Sequence, residues 1–170
     1  LTLVWLTEYP FQPIQLTLIS TLATGLPSFI LTLEPNATRV EGTFVNVFSR
    51  ALPGAICVVV SVILASILTP VLSTNSEQFS TICTLIAGFN ALCVLTGACI
   101  PFTRLRHLLV ICMIAFFAIS IIFFHNFFYI VPLNITQIIF VLIVCVMIPF
   151  IQRFLNLWFK KQLRLHYKKG

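Results

Sequence analysis

The sequence predicts an all-α fold: an integral membrane bundle of five transmembrane helices, preceded by the end of another. Three observations carry that reading. The 170 residues are 59% apolar and only 8% charged, whereas a soluble domain carries about a quarter charged residues. Four stretches, 9–33, 51–76, 78–103 and 107–152, contain no Lys, Arg, Asp or Glu. Finally, the apolar runs are continuous and do not alternate with a period of two, which argues against a β-barrel.

Residues 1–13 read as the end of a preceding helix and an outer loop, the chain opening on Leu1 and not on Met. The first complete span is 14–33 and carries a proline, Pro27. Residues 34–50 form a cytoplasmic loop in which Val40, Phe44, Val47 and Phe48 recur at helical spacing, as in a short interfacial helix or a docking segment. Residues 51–152 then hold a four-helix membrane bundle, with spans near 51–72, 79–100, 108–124 and 136–150. His125, Asn126, Pro132 and Asn134 mark the turn between the last two. Residues 153–170 form a basic tail whose Trp158, Phe159 and Tyr167 suit a lipid interface.

Five spans place all ten basic residues on one side. Arg39 and Arg50 follow the first span, Arg104 and Arg106 the third. Arg153, Lys160, Lys161, Arg164, Lys168 and Lys169 follow the fifth. The positive-inside rule makes that side cytoplasmic. The net charge of +6 is thus a membrane-surface feature, directed at the lipid bilayer and not at nucleic acid.

The acids are Glu8, Glu34, Glu41 and Glu77, and there is no aspartate. Aspartyl-phosphate chemistry and Asp-held magnesium are therefore excluded within this chain. The six cysteines lie in apolar runs without C-x-x-C spacing and read as small membrane-core residues.

The first span differs from the others. Thr17, Ser20, Thr21, Thr24 and Ser28 recur at three- and four-residue intervals, and Gln15 is read as beginning the same face. Gly25 and Pro27 interrupt it. Pro27 has no N–H to give the Ala23 carbonyl, which leaves that oxygen free. Free carbonyls beside hydroxyls at a helix break are a way to build a cation site in the membrane. Equally, they fit a kinked packing seam whose hydroxyls bond back to their own helix. Asn90 and Gln137 are the amides of the third and fifth spans and suit hydrogen bonding between helices.

The order Pro13-Ile14-Gln15-Leu16, then Gly25-Leu26-Pro27-Ser28, then Leu33-Glu34-Pro35-Asn36 resembles the sixth membrane helix of P-type cation-transporting ATPases, in a bacterial form. The layout after it, four helices and a basic tail, is similar to the seventh to tenth helices of that family. The resemblance implies that Ser20 stands where calcium pumps place a calcium-binding Asn, Thr24 where they place an Asp, and Ala23 where they place a Thr. Asn90 falls in a segment similar to E-x-x-N-A-L, with Ala87 in place of the acid.

From the resemblance we expect the C-terminal membrane portion of a longer transporter. Ser20, Thr24, Ala23, Thr17 and Asn90 would border the ion path, with Ser20 and Thr24 facing the bundle interior and offering hard oxygen ligands to the metal. Gly25 and Pro27 would hold the helix open. Arg39, Phe44, Phe48 and Arg50 would couple it to the cytoplasmic ATPase domains. Those domains and the N-terminal helices would lie elsewhere in the parent and bind ATP and Mg2+, which this chain does not bind. Calcium is the cation favoured by the resemblance. The competing functions are a stand-alone permease or channel subunit and a non-catalytic membrane assembly protein.

Overall fold

A computed structural model describes residues 11–25, 27–28, 43–68, 74–99 and 103–167. The elements are α1 (Pro13–Ser20), which runs on into a π-helical turn (Thr21–Gly25), then α2 (Thr43–Leu68), α3 (Ser76–Ala98), α4 (Arg104–Phe123) and α5 (Ile135–Tyr167). The expected end of a preceding helix lies outside the described residues.

Glutamines begin three of these helices in the same way. Pro13 opens α1 with a preset backbone angle, and the Gln15 Oε1 accepts the Gln12 backbone N–H at 3.2 Å. Gln78 Oε1 accepts from Asn75 at 3.3 Å before α3, and Gln137 Oε1 accepts from Asn134 at 2.9 Å before α5. In each case a side chain one turn in satisfies a backbone donor that the helix cannot. Helix α4 starts differently, with Thr103 Oγ1 accepting from the Arg106 backbone N–H at 3.4 Å.

Helices α3, α4 and the Ile135–Trp158 part of α5 are long and apolar enough to cross a membrane, and α2 contributes a shorter apolar stretch, Leu52–Leu68. Two element boundaries differ from the sequence reading. Helix α2 begins at Thr43, so Arg50 is inside it and not in a loop. Helix α5 passes through Pro149 and continues to Tyr167, joining the fifth span and the basic tail into one helix of 33 residues. That is about 50 Å at 1.5 Å per residue, more than the roughly 30 Å hydrocarbon thickness. Nothing between 150 and 167 breaks it, since that stretch has neither Gly nor Pro.

Helix α3 is the centre of the bundle. On one side Phe79, Ile82, Cys83 and Ile86 pack with Val62 and Ala65 of α2 and with Val141, Val144 and Ile148 of α5. On another side Leu92 and Leu95 meet Leu18 and Leu22, together with Leu109, Met113 and Phe117 of α4. Two glycines allow the close approach. A Cβ on Gly54 would run into Val94, and one on Gly88 into the Phe117 ring.

Candidate functional site

The α1 segment has two faces of opposite character. At about 100° per residue, Leu18 and Leu22 fall within about 60° of Gln15, whereas Thr17, Ser20 and Thr21 lie about 120–160° away. Gln15, Leu18 and Leu22 are buried against α3 and α4, at 0%, 1% and 0% exposure. Thr17 and Ser20 are exposed and Thr21 is half-buried. Two expectations change as a result. Gln15 does not begin the hydroxyl face but stands opposite it. Ser20 points away from the interior formed by these helices, because the apolar leucines and the buried amide take that side.

On the outward face most described hydroxyls bond back to their own helix. Thr17 Oγ1 donates to the Pro13 carbonyl at 3.2 Å, Thr21 Oγ1 to the Thr17 carbonyl at 2.8 Å, and Ser28 Oγ to the Gly25 carbonyl at 3.0 Å. Each such hydroxyl keeps oxygen lone pairs able to accept a further partner. The π turn widens the helix at Thr21–Gly25. A Cβ at Gly25 would meet only the Ser20 carbonyl oxygen, at 3.8 Å, so packing among the described residues does not require a glycine there. Pro27 is buried. The backbone of Ala23 and Thr24 lies in the π turn, and their side chains lie outside the described set.

The buried side of α1 holds a polar knot that sequence reasoning missed. Gln15 Oε1 accepts from Ser80 Oγ at 2.6 Å and from Thr84 Oγ1 at 2.8 Å, both on α3. Its Nε2 donates to the carbonyls of Phe128 at 3.2 Å and Tyr129 at 3.4 Å, in the loop between α4 and α5. The Gln12 N–H can only donate and the two carbonyls can only accept, so the amide orientation is determined. The Ser80 hydroxyl donates to it, and the single Thr84 proton is shared between Gln15 Oε1 and the Ser80 carbonyl, also at 2.8 Å. Tyr129 adopts a left-handed backbone (φ 51°) at this point. Beside it Thr81 Oγ1 accepts the Val131 N–H at 3.1 Å, and Gln137 Nε2 donates to Gln78 Oε1 at 3.1 Å. The recurrent glutamine one turn into α1, α3 and α5 was the signal available in the sequence.

Asn90 sits toward the other end, 2% exposed. Its Nδ2 donates to the Gly54 carbonyl of α2 at 3.0 Å, and its Oδ1 accepts from Gln152 Nε2 of α5 at 2.6 Å. The amide is engaged on both sides, and the structure does not bring it together with Thr17 or Ser20. Ala87, which the resemblance sets in place of an acid, is buried. Phe44, Phe48 and Arg50 lie on the α2 backbone with side chains outside the described set, and Arg39 is outside it altogether.

Comparison with known proteins decides what this frame belongs to. The chain is 33% identical over 120 residues to a probable cation-transporting ATPase, exp7, of Streptococcus pneumoniae serotype 4, covering 70% of this chain and 15% of that protein. The chain belongs to the P-type ATPases, as a membrane portion. It is also 35% identical over 112 residues to the calcium-transporting ATPase CtpE of Mycolicibacterium smegmatis, covering 61% of this chain and 14% of that protein. The chain thus spans about a seventh of the length of these relatives. No family model matches it, and no solved structure does.

Proposed function

We propose that this P-type ATPase portion forms part of an ATP-driven cation transporter and that the outward face of α1 borders the ion path. The observation that carries the reading is the outward hydroxyl stripe. Helices α4 and α5 turn Ile111, Ile119, Ile122, Leu142, Ile143 and Val146 outward, all at 48% exposure or more, as lipid-facing helices do. Helix α1 turns Thr17 and Ser20 outward. Hydroxyls in a membrane favour protein or water over hydrocarbon, so that face is the side that meets the rest of the transporter.

Ser20, Thr24 and the Ala23 carbonyl would supply oxygen ligands, with Gly25 and Pro27 maintaining the widened turn. Thr17 extends the same face. The end of the bundle holding the 124–134 loop is assigned to the outside, and the end with Arg104, Arg106 and the basic tail to the cytoplasm of the cell membrane. Arg39, Phe44, Phe48 and Arg50 would face the cytoplasmic ATPase domains, where ATP and Mg2+ bind. Calcium is the proposed cation, supported by the name of one relative and by the hardness of hydroxyl and carbonyl oxygens. Thr24→Val preserves shape and removes the oxygen. In the full-length transporter it is expected to weaken calcium-dependent phosphorylation on the order of tenfold. Wild-type calcium dependence in both Ser20→Ala and Thr24→Val would refute the assignment.

A further inference from the structure

We propose that Gln15 is a positioning residue for the hydroxyl face: it clamps the start of α1 onto α3 and the α4–α5 loop, so that α1 moves by bending at its π turn and not by sliding or rotating. The consequence for ion binding rests on the function proposed above, whereas the clamp itself is read by a separate measurement.

The asymmetry along α1 supports this. At its start, one fully buried amide makes two hydrogen bonds to α3 hydroxyls and two to loop carbonyls. Sliding or rotating the helix would break these bonds together and leave an amide at 0% exposure without its partners. The loop is fixed in turn by Thr81, which accepts from Val131. Ser80, Thr81 and Thr84 all belong to α3, the most enclosed of the long apolar helices, so the clamp is made to the helix at the centre of the bundle.

Past Ser20 the polar anchoring changes. Among the described residues of 17–28, the hydroxyl bonds run within the same segment, from Thr17 to Pro13, Thr21 to Thr17 and Ser28 to Gly25. The π turn sits at this boundary. π turns and prolines are the places where a helix bends. Ser20 stands five residues beyond the clamp, so the clamp sets the register from which the hydroxyls are presented.

The test uses the full-length transporter with genetically encoded spin-label residues in pairs. One pair, at Gln12 and Ser76, reports the clamped end, and the other, at Ser28 and Gly97, reports beyond the turn; all four positions are exposed. With Gln15 intact, the first pair is expected to hold one distance with and without calcium, while the second shifts. In Gln15→Leu the first pair should spread or shift. The half-saturating calcium for phosphorylation should rise on the order of tenfold with maximal phosphorylation kept within about twofold, a split that general destabilisation would not produce. Ser80→Ala with Thr84→Val leaves Gln15 in place, removes its α3 partners, and should act the same way; it carries the test if Gln15→Leu does not fold. An unchanged first-pair distance in these variants overturns the clamp, whatever Ser20 and Thr24 do. A first pair that moves with calcium as much as the second overturns the bending motion. If the clamp responds as expected but Ser20→Ala and Thr24→Val bind calcium normally, the ion-path reading fails and the role of Gln15 as positioning residue falls with it, leaving only an anchor.

Discussion

Helices α3 and α4 invert the rule that holds in water. Helix α3 contains Ser80, Thr81, Thr84 and Asn90, yet it is the buried one, with 72% of its apolar window enclosed. Helix α4 is almost wholly apolar beyond His107, with Ser120 its single hydroxyl, yet only 17% of its window is enclosed. In a bilayer the solvent is as apolar as leucine, so apolar side chains gain little by burial, and polar groups need partners inside. The polar residues of α3 therefore mark its contacts: Ser80 and Thr84 with α1, Thr81 with the 124–134 loop, Asn90 with α2 and α5.

The largest effect expected from this contrast is steric, where α3 and α4 touch. Gly88→Val pushes a side chain into the Phe117 ring and should destabilise the protein by about 1–3 kcal/mol, read as a lowered Tm in detergent. Phe117→Ala should recover part of that loss. Gly97→Val, where a Cβ meets nothing within 4 Å, should leave Tm nearly unchanged. Equal effects at both glycines would remove the distinction between the two faces of α3.

Next comes the polar tie at the other end. Asn90→Leu strands the Gln152 amide and removes a partner from the Gly54 carbonyl, at an expected cost of about 1–2 kcal/mol. A double-mutant cycle of Asn90→Leu with Gln152→Leu should give a coupling of about 0.6–1.7 kcal/mol, the range for hydrogen bonds between membrane helices.

The smallest contrast concerns single methylenes. Ile86→Val, in the core of α3 at 0% exposure, should cost about 0.5–1.5 kcal/mol. Ile119→Val, on the outward face of α4 at 48% exposure, should stay within about 0.5 kcal/mol of wild type. The same denaturation assay reads both.

How legible all this was in the sequence depends on the range of the interaction. The helices of the bundle followed from uninterrupted apolar runs, because in a membrane a long apolar stretch has few other fates. The lengths of α2 and α5 were less legible. Charges at Arg50 and Arg153 suggest a membrane edge, but charge does not end a helix, and no breaker follows. Within α1 the hydroxyl stripe was visible as spacing, yet placing Gln15 on it ignored the helical angle, which puts that residue on the opposite side. The pairing of Asn90 with Gln152 is tertiary, between residues 62 apart in sequence, and no local pattern announces it. That Ser20 faces outward was unreadable until the side occupied by Leu18 and Leu22 was known.

The central claim is that the outward face of α1 borders a hydrated cation path while the outward face of α4 meets lipid. Cysteine substitution at Ser20 and at Ile119, in the full-length transporter with its native cysteines replaced, tests it directly. A water-soluble, membrane-impermeant methanethiosulfonate reagent should modify Ser20→Cys, calcium should slow that modification, and Ile119→Cys should resist it. Modification of Ser20→Cys no faster than Ile119→Cys, with or without calcium, would contradict the claim.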